Sequence, residues 1–167
     1  MKHYRLFSLT VGCICFFINF LAVVSASDMS DAQYEEMSKE MLELNTNKQY
    51  QEVIRIYEKY AVPENQNFRF YRELGDAYLL NEIRFSRTKI KSEWEKAEKY
   101  FLTAHSLNRD DLYVIMNLAV LYTWKNDNFN ANRYASMYLK KGGKKRAKQA
   151  ETILQKYKYN IIEQQAQ

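Results

Sequence analysis

Residues 71–78 read Tyr-Arg-Glu-Leu-Gly-Asp-Ala-Tyr, and residues 94–107 read Trp-Glu-Lys-Ala-Glu-Lys-Tyr-Phe-Leu-Thr-Ala-His-Ser-Leu. In the first stretch Tyr71, Leu74, Ala77 and Tyr78 stand at i, i+3, i+6 and i+7; in the second, Trp94, Ala97, Phe101, Ala104 and Leu107 follow the same rule. That is the period of one helical face, so the two stretches predict a pair of antiparallel amphipathic helices. Small residues at Gly75, Ala97 and Ala104, set among aromatics, predict that the two backbones approach closely.

Working outward, the same markers recur. Met37, Met41 and Leu44 map onto Tyr71, Gly75 and Tyr78 at a shift of 34 residues, and these map onto Ile115, Ala119 and Tyr122 at 44. Val53 and Tyr57 map onto Ala97 and Phe101 at 44, and these onto Ala131 and Ala135 at 34. One insertion of about ten residues between Tyr78 and Ala97 explains both orders. The predicted helices lie near 30–46, 48–61, 67–82, 92–108, 111–125, 128–141 and 144–160. Ser30 with Gln33 and Ser92 with Glu95 are capping boxes, Asp110 or Asp111 and Asp127 sit where further helices start, and Pro63 separates the first unit from the second.

Leu74-Gly75-x-x-Tyr78 with Tyr71 before it, followed by Ala97, Phe101 and Ala104, resembles a tetratricopeptide repeat; Leu118-Ala119-x-x-Tyr122 and Ala131 repeat the pattern. The departures are Glu40 in place of leucine, Tyr60 and Tyr138 in place of a small residue, and Arg109 where a proline closes the repeat. The resemblance implies an all-α fold, an α-α superhelix of three hairpins plus a C-terminal capping helix. The repeats are expected at about 34–67, 68–111 (insertion near 81–91) and 112–143. A capping helix at 144–160, a lead-in at 27–33 and a tail at 161–167 complete the chain. Each hairpin of such an array buries its face only against the next.

Before this array, Lys2 and Arg5 precede an apolar run from Leu6 to Val24, closed by Val24-Ser25-Ala26. This predicts a signal peptide over residues 1–26 and an exported, periplasmic or secreted protein; an uncleaved membrane tether is the alternative. Both cysteines, Cys13 and Cys15, lie within it, so the expected mature chain has no disulfide and no thiolate metal site. The chain of 167 residues, 47% hydrophobic and 27% charged with one proline, excludes disorder and disfavours a many-turned β-sandwich.

Chemistry is sparse. His105 is the one imidazole after residue 26 and has no second ligand at metal spacing; no glycine-rich phosphate loop and no distinct carboxylate pair stand out. No enzyme activity, cofactor or metal is expected, an unrecognised carboxylate site being the alternative. The resemblance implies that the first helix of each unit lines a concave groove holding a peptide or partner protein. Its lining by helical phase is Glu35, Ser38, Leu42 and Asn45, then Arg69, Arg72, Asp76 and Leu79, then Tyr113, Met116, Asn117, Val120 and Trp124. The binding residues expected are Arg69, Arg72, Asp76, Tyr113, Met116, Asn117, Val120 and Trp124.

Charge supplies a second candidate. Residues 28–82 hold 6 Lys and Arg against 12 Asp and Glu, whereas residues 83–167 hold 17 against 8. Lys140, Lys141, Lys144, Lys145, Arg146 and Lys148 concentrate the basic end around Gly142 and Gly143. Cations in the first turn of a helix oppose its dipole, so an acidic lipid headgroup, envelope polymer or protein surface is the alternative partner; nucleic acid is not expected. The insertion, with Arg84, Phe85, Arg87, Lys89, Ile90 and Lys91, either protrudes as a loop or lengthens the flanking helices.

Overall fold

The computed structural model describes residues 29–85 and 91–155. The expected signal peptide, the middle of the insertion, residues 156–160 of the expected capping helix and the tail lie outside them. The described residues are all helical or connecting, without a strand. Helix α1 (Asp31–Thr46) starts where expected: the Ser30 hydroxyl accepts from Gln33 N–H while Gln33 Oε1 accepts from Ser30 N–H at 2.8 Å. Helix α2 (Tyr50–Tyr57) ends in a single 3₁₀ turn, Glu58–Tyr60, before the bend at Pro63. Then come α3 (Phe68–Phe85), α4 (Lys91–Leu107), α5 (Leu112–Trp124) and α6 (Asn128–Lys140), and a closing helix α7 at 147–155.

Asp111, not Asp110, caps α5 by accepting from Val114 N–H at 2.9 Å, and Asp127 caps α6 by accepting from Asn130 N–H at 3.0 Å. Helix α4 is described from Lys91, so Ser92 already lies within it. Helix α3 continues to Phe85, past the point where the first hairpin turns, so part of the insertion lengthens that helix.

The first and third hairpins turn identically. Lys48 and Asn126 have φ of 62° and 57°. Gln49 N–H donates to Leu44 O at 2.8 Å, and Asp127 N–H to Tyr122 O at 2.9 Å, six-to-one bonds of a Schellman end with its left-handed residue. The two turns lie 78 residues apart, the sum of the two sequence shifts. Each helix from α1 to α5 packs on the next in the chain, and α1 also packs on α3.

The small residues sit where close approach needs them. Ala97, Ala104 and Ala119 are fully buried. At Gly75 an added Cβ would stand 2.8 Å from Phe101 Cδ1, inside van der Waals contact with a fully buried ring. Overpacking of this kind costs about 1–3 kcal/mol, outweighing most or all of the ~1 kcal/mol that alanine gains over glycine in a helix. Gly75→Ala is therefore expected to lower the urea midpoint, and adding Phe101→Leu to recover part of the loss. A Gly75→Ala protein as stable as the wild type would show that α3 and α4 are not in this contact.

Candidate functional site

Helices α1, α3 and α5, the first helices of their hairpins, are joined by polar contacts. Glu35 of α1 pairs with Arg69 of α3 and accepts from Asn67 Nδ2 at 3.0 Å. The Asn67 hydrogen bond, with Arg69, holds the Glu35 carboxyl below the usual range. One turn further along α3, Glu73 accepts from Asn45 Nδ2 of α1, at 2.9 Å through its backbone carbonyl and at 3.2 Å through Oε2. Arg72 donates through Nε and a terminal nitrogen to Glu73 Oε1, at 2.9 and 2.7 Å, lies 3.7 Å from Asp111, and stands 5.6 Å from the Tyr113 ring centre. Asp76 accepts from Tyr113 Oη at 2.7 Å and from Asn117 Nδ2 at 3.0 Å, and Arg146 donates to Asn117 Oδ1 at 2.7 Å.

Glu73 and Asp76, one turn apart on α3, are 2% and 5% exposed. Burial, reinforced by the neighbouring Glu73 carboxylate, pushes Asp76 up to about 8, against the pull of the Tyr113 hydrogen bond and of the Arg72 and Arg146 charges.

Over this network lies an open hollow of about 340 Å³ between α1 and α3, lined by Glu35, Ser38, Lys39, Leu42, Arg69 and Arg72. A second of about 360 Å³, lined by Asp31, Glu35, Gln66, Asn67, Phe68 and Arg69, shares two residues with it. Leu42 is 49% exposed on the α1 side, and Tyr113 on α5 is 45% exposed beside Arg72.

The predicted residues therefore divide. Arg69 and Arg72 line the hollow and Tyr113 stands next to it, whereas Asp76 and Asn117 lie beneath the surface as part of the network. Met116 and Val120 do not line a groove: they are 0% and 7% exposed, and Leu79 is buried as well. The reason is in α5, where every residue from Val114 to Tyr122 is buried; a helix apolar all round is enclosed all round. Trp124 is partly buried against the same core. Glu73, Asn67 and Lys39 were missed, although Glu73 falls on the stripe 69, 72, 73, 76 that marks the polar face of α3.

The basic segment also divides. Lys141 pairs with Asp110, and Arg146 turns inward, where its backbone N–H donates to Tyr138 Oη at 3.0 Å; Lys140, Lys144, Lys145 and Lys148 are exposed. His105 packs edge-on to Tyr134 at 5.7 Å; burial, with Arg109, Lys141 and Arg133, holds its pKa below the usual value. No group of three potential metal-ligating side chains occurs among the described residues. No protein-family model matches the chain, and no curated protein is recovered as similar to it.

A carboxyl near 3.9 when unfolded and about 8 when folded binds its proton more tightly in the native state, so its contribution to stability is present below pH ~4 and is lost as pH rises toward 8. Asp76→Asn keeps the shape without the titration. Its urea midpoint is expected to fall less than that of the wild type between pH 5 and 9 and to exceed it at pH 9; parallel midpoints across that range would exclude Asp76 as a buried titrating group.

Proposed function

We propose that this protein is an exported, non-enzymatic binding module resembling tetratricopeptide arrays, in which three hairpins and a closing helix stack as a superhelix. The ligand is an extended peptide or partner-protein segment laid across α1 and α3. The observation that supports this reading most directly is the hollow between those helices, with exposed Leu42 on one wall and Arg69 and Arg72 on the other. Leu42 and the Tyr113 ring offer apolar contact, while the arginine edges offer donors in fixed positions because Glu35 and Glu73 already orient them. The occupant reads the α1–α3 portion of the face and the Tyr113 ring beside it, since α5 from Val114 to Tyr122 is enclosed.

Selection of peptides from a random library on the purified full chain, followed by titration, tests this. Leu42→Asp and Arg69→Ala are each expected to weaken a selected peptide about tenfold or more, the range of interface anchors, with Lys144→Ala neutral. Peptides whose affinity ignores both groove changes would exclude this surface as the binding site.

A further inference from the structure

The bend between α6 and α7 supports a second activity, independent of the hollow. Residues 140–155 carry six cations and one acid, Glu151. Lys141 and Arg146 are committed to Asp110, Asn117 and Gln149. Lys140, Lys144, Lys145 and Lys148 are exposed and make no ion pair among the described residues. We infer that these four lysines form a docking surface for a bilayer face rich in anionic phospholipid.

The bend is built to hold them in place. Gly142 has φ of 80°, its N–H donates to Leu139 O at 3.0 Å, and Gly143 N–H donates to Tyr138 O at 2.9 Å. Gly143 lies against the Tyr138 ring, where any Cβ would overlap the aromatic carbons, and the Tyr138 hydroxyl holds Arg146 N–H from the other side. Lys144 and Lys145 follow this turn directly, between Lys140 at the end of α6 and Lys148 in the first turn of α7.

Their position also has a local cost. Helices α5 and α6 start on aspartate caps, whereas α7 follows Lys144, Lys145 and Arg146 and has Lys148 in its first turn, where cations repel the positive helix end. An external anion relieves that repulsion. The chemistry of the surface selects the kind of anion. Among the described residues the exposed large apolar side chains are Leu42, Leu102, Tyr113 and Phe129, none of them within 140–155, so that stretch shows no apolar anchor of the kind a protein partner uses. It offers neither an exposed aromatic for base stacking nor an uncommitted guanidinium fork for base edges. Lysines alone, as hydrated point charges, suit a plane of headgroups that supplies many charges without directional demands.

Sedimentation of the full chain with vesicles tests the assignment. Vesicles are phosphatidylcholine alone or with about 30% phosphatidylglycerol, at low and high salt. Because the chain also carries the apolar run at 6–24, the readout is the part of binding that requires the anionic lipid. That part is expected to fall steeply with salt. It is expected to fall about fivefold per lysine and several hundredfold in the Lys140, Lys144, Lys145 and Lys148→Gln variant, while the matching four-Arg variant retains it. Unchanged urea midpoints in both variants separate lost charge from lost fold. The assignment is overturned if the Gln variant binds anionic vesicles as the wild type does, if binding needs no anionic lipid, or if a soluble acidic polymer at equal charge captures the protein more tightly than vesicles do. Loss of peptide binding on groove substitution leaves it untouched, so the two readings fail separately.

Discussion

Two carboxyls buried on one turn of α3 constrain everything around them. Ionised or not, Glu73 and Asp76 must find donors, because an unpaired buried carboxyl costs several kcal/mol. No single neighbour supplies enough. Asn45 comes from α1, Arg72 from α3 itself, Tyr113 and Asn117 from α5, and Arg146 reaches Asn117 from the closing segment. Sliding any of these helices along its neighbour would leave a carboxyl oxygen or an amide without a partner. The polar network thus sets register, while the apolar core beneath it supplies the driving force.

The opposite side of the hairpins solves a similar problem with tyrosine. Tyr57 donates to Glu40 at 2.5 Å, Tyr100 to Glu58 at 3.2 Å and Tyr122 to Glu98 at 2.6 Å. In each, the ring is buried between helices and the hydroxyl meets a carboxylate at the edge of the seam, the use to which an apolar body with a polar tip is suited. Stacked rings link the pairs: Tyr100 lies 5.7 Å from Tyr78 and 6.3 Å from Tyr71, and Tyr122 lies 5.7 Å from Tyr134. Six tyrosines are used in this way among described residues that contain no cysteine to bridge the helices. It also explains two departures from the repeat pattern, since Glu40 serves Tyr57 and Tyr138 supports the bend before α7.

What the sequence made legible was local. Helix starts at Ser30, Asp111 and Asp127, the hairpin pairing and the small residues at the crossings all follow from spacing and capping chemistry. The α1–α3 half of the site was legible too, because Glu35, Leu42, Arg69 and Arg72 fall on the faces that helical phase assigns them. The α5 half was not. Met116 and Val120 were placed by phase on a face assumed open, but no polar stripe on α5 marks such a face, and the apolar run Val114–Tyr122 was the better guide. Arg146 was read with its lysine neighbours as part of one basic patch, whereas a guanidinium is long enough to reach the amide of a buried asparagine. Glu73 escaped notice because a buried acid has no signature apart from the partners that justify it.

The matching turns at Lys48 and Asn126 leave the middle hairpin as the odd one, its α3 running on to Phe85. For an engineer, the left-handed backbone at Lys48 and Asn126 marks the two positions where glycine can replace a side chain that strains its turn.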